Sequence, residues 1–295
     1  MGDDMPPPVC SIIVPCYNEK GAILGTIAAI RSAVAGVGDC EIIVVNDGST
    51  DGCRALLDGA QEKDPALKVV HHPQNQGYGA ALKTGIRRAT AGLIAITDAD
   101  GTYPNERLPQ LIGLGQQCDM AVGARTGGEV AVPFLRRFPK ALLRRYASWL
   151  AGQPIPDINS GLRVFKKDVA ERFFSILPDT FSFTTTITLA MLTKRYDVRY
   201  LPIDYRPRLG KSKIRPIRDT LLFFQLLVRT AMYFAPLRVL SPLIVILSLG
   251  FMTSLAYDVF VLKDLTEKTL MLLLFAMNTA IFALLADMID KRSGG

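Results

Sequence analysis

Residues 93–104 read LIAITDADGTYP, an apolar run followed by two aspartates one residue apart. An apolar run without alternation is typical of a strand buried on both faces, and Asp98 and Asp100 come where it ends. Residues i and i+2 of a strand project to the same side, so we expect both carboxylates to point into one cleft. A divalent cation such as Mg²⁺ or Mn²⁺ would relieve their repulsion. A solvated turn is the alternative, because Asp, Gly and Pro also favour turns.

Strand and helix patterns alternate on both sides of this segment. The predicted strands are 9–14, 41–45, 69–71, 93–97 and 120–123, and the predicted helices are 21–35, 54–61, 78–91 and 107–117. This β-α-β alternation predicts an α/β fold with a parallel sheet and right-handed crossovers. In such folds ligands bind beyond the carboxyl ends of the strands.

Polar clusters follow the other predicted strands as well. SIIVPCYNE (11–19) ends the first strand, VVNDGSTDG (44–52) ends the second, and NQGYGAALKTGI (75–86) opens the third helix. Asp47 can accept hydrogen bonds from a nucleobase. The glycine-rich start of the third helix suits an anionic ligand, with an ordinary loop and helix cap as the alternative. We predict no functional role for His71 and His72, which we expect in a simple loop.

Composition limits the class of protein. The chain has 295 residues and a net charge of +7, so an anionic partner such as a phosphate, nucleotide, nucleic acid or lipid surface is plausible. None of the five cysteines forms a C-x-x-C pair, which predicts reduced thiols rather than disulfides or a zinc site. The N-terminal residues contain no apolar signal segment, so we expect no secretory signal.

The last sixty residues have a different character. Residues 239–257 and 269–286 carry no charged side chain, and at about 1.5 Å per residue each run is long enough to cross a bilayer core. We predict a hairpin of two transmembrane helices, with two buried helices of a soluble domain as the alternative. Basic residues before the first run and after the second predict a cytoplasmic catalytic part. Polar residues on one face of 217–234 predict a helix lying in the membrane interface.

Together these motifs resemble the inverting family 2 glycosyltransferases, which have the GT-A fold. The resemblance covers residues 9 to about 215. It implies that Asp98 and Asp100 bind Mg²⁺ or Mn²⁺ together with the diphosphate of a nucleotide sugar. The nucleotide-sugar site that it implies comprises Pro15, Tyr17, Glu19, Asp47, Gly77 and Asp98.

Two further motifs are similar to those of the polyprenol-phosphate glycosyltransferases, which include the dolichol-phosphate mannose synthases and bacterial glucosyl relatives. DINSGLRVF (157–165) contains their S-G-x-R, and RPRLGKSKIRPIRD (206–219) contains their G-x-S-K. The mannose synthases often have D-A-D-L-Q-x-P, with the Gln helping to bind metal. Gly101 and Thr102 replace Leu and Gln here, so the sequence does not identify a third metal ligand.

The resemblance implies sites for catalysis and for the acceptor phosphate. The implied catalytic residues are Asp98, Asp100, Arg163 and Lys211. The implied acceptor-phosphate residues are Arg125, Arg136, Lys140, Ser160, Lys211 and Lys213. For the basic cluster at 136–145, attraction to anionic lipid headgroups is the alternative. Asp157 would serve as a base in a relative that uses a hydroxyl acceptor, and here we expect it to orient Arg163 or the acceptor loop.

The expected organisation is a GT-A catalytic domain (1–215), a juxtamembrane amphipathic helix (216–236) and a two-helix transmembrane hairpin (237–295). The expected activity is inverting transfer of glucose or mannose, from UDP-glucose or GDP-mannose, to a polyprenyl or dolichyl phosphate. This places the enzyme at the cytoplasmic membrane with the catalytic domain facing the cytoplasm. We expect no nucleic-acid partner, and a homo-oligomer stays open.

Other functions are also considered. A membrane glycosyltransferase acting on a sugar hydroxyl or another lipid acceptor is the main alternative. A processive polysaccharide synthase would normally carry Q-x-x-R-W, but the only tryptophan, Trp149, follows Ala and Ser. A dinucleotide-dependent oxidoreductase would show G-x-G-x-x-G after its first strand, where this chain has VPCYNEKG. A non-catalytic scaffold would have no use for both aspartates and the basic loop.

Overall fold

The structure is a computed structural model that describes residues 7–64, 66–126, 145–180, 182–204, 225, 228–233 and 235–293. The strands are β1 (Cys10–Cys16), β2 (Cys40–Asn46), β3 (Leu67–His71), β4 (Leu93–Ile96), β5 (Met120–Ala124), β6 (Arg163–Lys166) and β7 (Val198–Pro202). The helices that we number are α1 (Ile23–Val34), α2 (Cys53–Lys63), α3 (Tyr78–Arg88), α4 (Leu108–Gly115), α5 (Lys167–Arg172), α6 (Phe183–Thr193), α7 (Pro236–Tyr257) and α8 (Glu267–Ser293). Residues 145–151 are also helical.

The strands form one seven-stranded sheet in the order β3-β2-β1-β4-β6-β5-β7. Strands β3, β2, β1 and β4 are parallel neighbours, as the sequence predicts. Strand β6 was not predicted, and it runs antiparallel between β4 and β5. The predicted α/β fold is confirmed, with the difference that β6 makes the sheet mixed rather than parallel throughout.

Helices cover both faces of the sheet, which explains its unbroken apolar strands. Successive β1 residues point to opposite faces, so Ile12 and Val14 pack in a core with α1 and α4, while Ile13 packs in a second core with α3 and α6. All seven residues of β1 and of β2 are buried. Both strands end at the same edge of the sheet, and the loops that follow them carry the polar clusters of the sequence.

The C-terminal part contains two candidate membrane spans. Helix α7 continues through a π-helical turn, and the two apolar stretches cover Pro236–Leu262 and Glu267–Ile289. Both have the length and apolar composition to cross a bilayer, and most of their surface is not covered by the rest of the protein. The predicted pair of apolar C-terminal helices is thus confirmed. The interfacial helix and the domain boundaries stay predictions, because residues 205–224, 226–227 and 234 lie outside the described part.

A buried carboxylate closes the turn between the two helices. Asp258 Oδ2 accepts hydrogen bonds from the backbone nitrogen (2.8 Å) and Oγ1 (2.7 Å) of Thr266, and from Thr269 Oγ1 (2.7 Å). Thr266 directly precedes α8, so Asp258 satisfies a backbone donor that the first turn of that helix leaves without an intrahelical partner. This contact ties the end of the first span to the start of the second.

Candidate active site

The two aspartates of the central motif lie in the turn after β4, not on the strand itself. Both are partly buried. The hydroxyl of Tyr78 donates to Asp98 Oδ1 at 3.0 Å, while Thr102 donates to Asp100 Oδ1 from its nitrogen (3.1 Å) and its hydroxyl (2.6 Å). Each carboxylate is therefore oriented by a neighbouring donor.

Gly161, the glycine of the S-G-x-R motif, packs directly against Asp98. A Cβ atom at this position would lie 2.8 Å from Asp98 Oδ1, which is closer than real contacts allow. The Gly161 nitrogen donates to the Tyr103 hydroxyl at 2.6 Å. The S-G-x-R segment is thereby brought against the first aspartate, and only glycine permits this distance.

Two tyrosines beside Asp98 stay protonated at neutral pH. Burial, and then the Asp98 carboxylate, raise the pKa of Tyr78 well above its ordinary value. The same two causes raise the pKa of Tyr103. The Tyr78 hydroxyl is therefore available as a hydrogen-bond donor to Asp98 across the physiological pH range.

Asp47 is held at the start of α3. Its carboxylate is 3% exposed and accepts from the backbone nitrogens of Gln76 and Gly77, both at 2.9 Å. Gly77 has a φ of +107°, and a Cβ there would lie 2.3 Å from the carbonyl oxygen of Asp179. The sequence predicts an anionic ligand at the start of this helix. In the structure the anion that binds there is the carboxylate of Asp47.

His72 completes this network from the loop that follows β3, where the sequence predicts it. It is buried, its Nδ1 donates to Asp47 Oδ1 at 2.8 Å, and its Nε2 lies 3.0 Å from Thr84 Oγ1. The signal that sequence reasoning missed is the position of this histidine directly after β3, beside the end of β2 that carries Asp47. Residues 76–78 connect both networks, since Gln76 and Gly77 bind Asp47 and Tyr78 binds Asp98.

The predicted residues after β1 lie at the same edge of the sheet. Pro15 is buried within β1, Tyr17 is 44% exposed, and Glu19 is partly buried. Asn18 fastens this loop to the loop after β2, because its Oδ1 accepts from the nitrogen of Thr50 at 2.8 Å. The loops after β1 and β2 therefore form one connected rim.

Arg125 and Asp157 form a bidentate ion pair beyond the end of β5. Arg125 Nε donates to Asp157 Oδ2 at 2.6 Å and its Nη2 donates to Oδ1 at 2.9 Å. Burial raises the pKa of Asp157, but the hydrogen bonds and charge of Arg125 outweigh it and hold that pKa below its ordinary value. The arginine that Asp157 binds is Arg125 and not Arg163, so the first of the two expected roles is corrected, while the role of orienting the acceptor loop stays a prediction.

The resemblance predicts direct substrate contacts for Arg163 and Ser160, but the structure places both side chains inside the protein. Both are fully buried. The Arg163 guanidinium donates to the carbonyl oxygens of Ser160 (2.9 Å from Nε) and Thr184 (3.1 Å from Nη1). A side chain without exposed surface does not reach a substrate in this conformation, so we assign Arg163 to holding the backbone that carries Gly161.

The remaining predicted site residues lie outside the described part of the chain. They are Arg136, Lys140, Lys211 and Lys213. Within the described ranges, no three or more His, Cys, Asp or Glu side chains are grouped so that they could hold a metal ion. Asp98 and Asp100 nevertheless fit Mg²⁺ or Mn²⁺, because such ions are often bound by one or two carboxylates while substrate phosphates and water complete the shell.

Comparison with known proteins identifies relatives of this chain. A family model described as glycosyl transferase family 2 matches residues 11–174. The polyprenol monophosphomannose synthase of Mycolicibacterium smegmatis is 31% identical over 215 residues, which are 69% of this chain and 80% of that protein. The dolichyl-phosphate hexose transferase of Haloferax volcanii is 29% identical over 70% of this chain and 86% of that protein.

Two further comparisons concern length and fold. The low-salt glycan biosynthesis hexosyltransferase Agl6 of Haloferax volcanii is 29% identical over 72% of this chain, and the match spans only 51% of that longer protein. The glucosyl-3-phosphoglycerate synthase of Mycobacterium tuberculosis, solved with Mn²⁺, UDP and phosphoglyceric acid, superposes with a TM-score of 0.54. That match is 20% identical and covers 76% of this chain and 78% of the solved one, so it supports the fold.

Proposed function

The chain belongs to glycosyl transferase family 2, and from that premise we propose that it transfers a hexose with inversion to a polyprenyl phosphate. The donor is a nucleotide sugar such as UDP-glucose or GDP-mannose, and the acceptor is an undecaprenyl-type or dolichyl-type phosphate. The names of its relatives support this acceptor class, since they include polyprenol-phosphate and dolichyl-phosphate enzymes.

The observation that favours a phosphate acceptor is the state of Asp157. A sugar hydroxyl needs a general base, and a base works best when its pKa lies near the working pH. Arg125 engages both oxygens of Asp157 and holds its pKa below the ordinary value, which makes this carboxylate a poor base. A phosphate monoester has its second pKa near about 6, so at neutral pH it attacks the anomeric carbon without losing a proton.

The donor is proposed to bind along the edge formed by the ends of β1, β2 and β4. Tyr17 and Glu19 line the nucleoside end, and the buried Pro15 and Asp47 support the loops around it. Asp98 and Asp100 would hold the diphosphate through Mg²⁺ or Mn²⁺. The ion, when bound, would neutralise charge on the leaving diphosphate. Gln76 and Gly77 donate to Asp47, and the next residue, Tyr78, donates to Asp98, so one short segment connects both ends of this site.

The experiment that tests the function is a donor panel with purified protein and polyprenyl phosphate. Radiolabelled sugar is expected in the organic phase after lipid extraction. Label in a polymer would identify a processive synthase, and label on a water-soluble sugar would identify a hydroxyl acceptor. No transfer from any donor would contradict the proposed activity.

Tyr78→Phe is expected to weaken metal binding while leaving the fold intact. The change removes the donor to Asp98 but keeps the ring. Hydrogen-bond partners that orient a metal ligand typically contribute about ten- to a hundredfold to metal affinity, so the Mn²⁺ concentration for half-maximal activity should rise roughly tenfold. Electron paramagnetic resonance of free Mn²⁺ in the presence of nucleoside diphosphate measures the same change without turnover.

Tyr196→Phe is the matched control for this variant. Among the described residues, its hydroxyl accepts one exposed bond of 3.4 Å, from Arg172. It should leave the Mn²⁺ requirement unchanged. Equal Mn²⁺ binding by the Tyr78 and Tyr196 variants would show that Tyr78 does not position Asp98.

Lys211 and Lys213 are proposed to bind phosphates of the acceptor or donor. Removing either charge-assisted hydrogen bond should lower turnover by roughly ten- to a hundredfold, because each contributes about 1.5–3 kcal/mol. The measurement is transfer by Lys211→Ala and Lys213→Ala in neutral detergent micelles. If these residues only attract anionic lipid, both variants should match the wild-type enzyme there, since no charged bilayer is present.

We propose that α7 and α8 cross the cytoplasmic membrane as a hairpin, with the catalytic domain in the cytoplasm. Two spans place both chain ends on one side of the membrane. Reporters fused before residue 1 and after residue 295 are therefore both expected to be active as cytoplasmic fusions. Opposite locations of the two reporters would mean an odd number of spans and would contradict the hairpin.

A further inference from the structure

The 145–151 helix connects the sheet domain to the first candidate span. One face of this helix packs on the sheet domain, where Ala147, Leu150 and Ala151 are buried. Ala147 and Ala151 belong to a small apolar core with Ile155, Ile158, Leu189 and Leu192. This packing fixes the helix to α6 and to the segment that leads into the S-G-x-R motif.

Arg238 attaches the same helix to the start of α7. Its Nη1 donates to the carbonyl oxygen of Leu150 at 2.6 Å. Gly152 follows with a φ of +73°, and a Cβ there would lie 2.9 Å from the same nitrogen, so glycine leaves room for the guanidinium. The arginine thus satisfies a carbonyl at the end of the 145–151 helix, as basic side chains commonly do at helix C-termini.

The position of Arg238 along α7 also indicates how deep this arginine lies in the proposed membrane. It lies in the first turn of α7, immediately before the uncharged stretch 239–257. That stretch is about 28 Å long at 1.5 Å per residue, which matches the hydrocarbon core. An arginine at the end of such a stretch lies at the headgroup level, and so does the Leu150 carbonyl that it binds.

The outer face of the 145–151 helix has the composition of an interface. Arg145 is exposed, Trp149 is 44% exposed and Tyr146 is half-buried, and the Tyr146 and Trp149 rings stack with centroids 5.9 Å apart. Tryptophan and tyrosine favour the headgroup region because their rings have an apolar body and a polar group, and arginine attracts lipid phosphates.

We propose that the 145–151 helix is a membrane-seating element whose outer face, formed by Arg145, Tyr146 and Trp149, lies in the headgroup region of the cytoplasmic leaflet. Arg238 fixes its depth by joining it to the first span. The occupant of this face is lipid, because the face is continuous with a helix that enters the bilayer. The element would hold the sheet domain at a set height above the membrane. This inference rests on the proposed membrane insertion of α7, and it does not depend on which sugar is transferred.

The chain contains a single tryptophan, so its fluorescence reports on Trp149 alone. The wild-type protein is reconstituted in phosphatidylcholine vesicles carrying bromine either near the headgroup or near the chain end. Shallow bromine is expected to quench Trp149 at least about twofold more than deep bromine, as for a tryptophan of the interfacial belt. Flotation of the same vesicles first confirms insertion, and failure to float would contradict the membrane proposal itself.

Three results with inserted protein would overturn the inference. Stronger quenching by deep bromine would place Trp149 in the hydrocarbon core. Absence of lipid quenching together with strong quenching by aqueous acrylamide would place it in water. Protection from both quenchers would mean that a second copy or another protein covers it.

Arg238→Gln tests whether the arginine sets the depth. This variant loses the guanidinium bond to Leu150 and should reduce shallow quenching of Trp149 by about half or more. Arg54→Gln is the control, because Arg54 is an exposed arginine on α2 of the sheet domain. Unchanged quenching in the Arg238 variant would show that the 145–151 helix keeps its depth in the headgroup region without that contact.

Discussion

Asp100→Ala is expected to lower sugar transfer on the order of a thousandfold, and Asp98→Ala nearly as much. If the two carboxylates hold a divalent ion on the donor diphosphate, either change removes an ion ligand and the charge stabilisation that the leaving group needs. Such stabilisation contributes several kcal/mol, and about 1.4 kcal/mol is a factor of ten in rate. The measurement is initial rate with saturating donor and acceptor at several Mn²⁺ concentrations.

The matched control for these variants is Asp168→Ala. Asp168 is an exposed carboxylate on α5, with Arg172 Nη2 3.7 Å from its Oδ2. This variant should keep full activity, and all three variants should insert into membranes to the same extent. Chelation of divalent ions should reproduce the effect of the aspartate variants on the wild-type enzyme. Full activity in excess EDTA would show that the motif does not act through a metal.

The sequence predicts the first half of the sheet well because that half consists of local β-α-β units. Strands β1 to β5 and helices α1 to α4 all lie at their predicted places, with ends shifted by a few residues. Each of these strands is an apolar run bounded by turn residues, so the local pattern alone identifies it. The resemblance to family 2 glycosyltransferases is confirmed by the family match over 11–174.

The second half was missed because its elements depend on distant contacts. Strand β6 has four residues, two of them basic, and is a strand because β4 and β5 lie on either side of it. Helix α6 is rich in threonine and nearly all of its residues are buried, so it shows neither strong helix propensity nor an apolar stripe. Tertiary packing determines both.

The site residues also fall into those that local sequence motifs identify and those that depend on distant contacts. Sequence motifs place Asp47, Asp98 and Gly161 at the site edge, because each follows or precedes a strand. The pattern does not reveal that Arg163 turns inward to bind backbone carbonyls, since Thr184 lies on another helix. It also misses the hydrogen bonds from Tyr78 to Asp98 and from His72 to Asp47, which join residues twenty or more positions apart.

A buried carboxylate at the opposite edge of the sheet is expected to control acid stability. Glu41, near the start of β2, is 8% exposed and accepts from Ser11 Oγ, Lys68 Nζ and the backbone nitrogen of Thr90 (2.6 Å for the last). Burial raises its pKa, but these hydrogen bonds outweigh burial and lower the pKa from 4.5 to about 2. The shift corresponds to roughly 3 kcal/mol of folding stability.

The sign of the pH dependence follows from that shift. Because the folded-state pKa is lower than the unfolded one, the stabilisation is fully present above about pH 4.5 and is lost as the pH falls towards about 2. Glu41→Gln should therefore lower the unfolding midpoint at pH 7 by roughly 6–12 °C. The difference between the variant and the wild-type protein should shrink as the pH falls from about 4.5 to 2.

Glu62→Gln, an exposed change on α2, should have no such effect and serves as the control. The measurement is the thermal midpoint in detergent, followed by Trp149 fluorescence and circular dichroism across this pH range. A pH-independent difference between the Glu41 variant and the wild-type protein would show that Glu41 is not ionised in the fold.

Because Ser11, Glu41 and Thr90 lie at the strand starts and the donor site lies at the strand ends, the KM for the donor should stay unchanged below the melting temperature. A change in the KM for the donor without a change in the unfolding midpoint would instead show that Glu41 at one edge of the sheet is coupled to the donor site at the other edge.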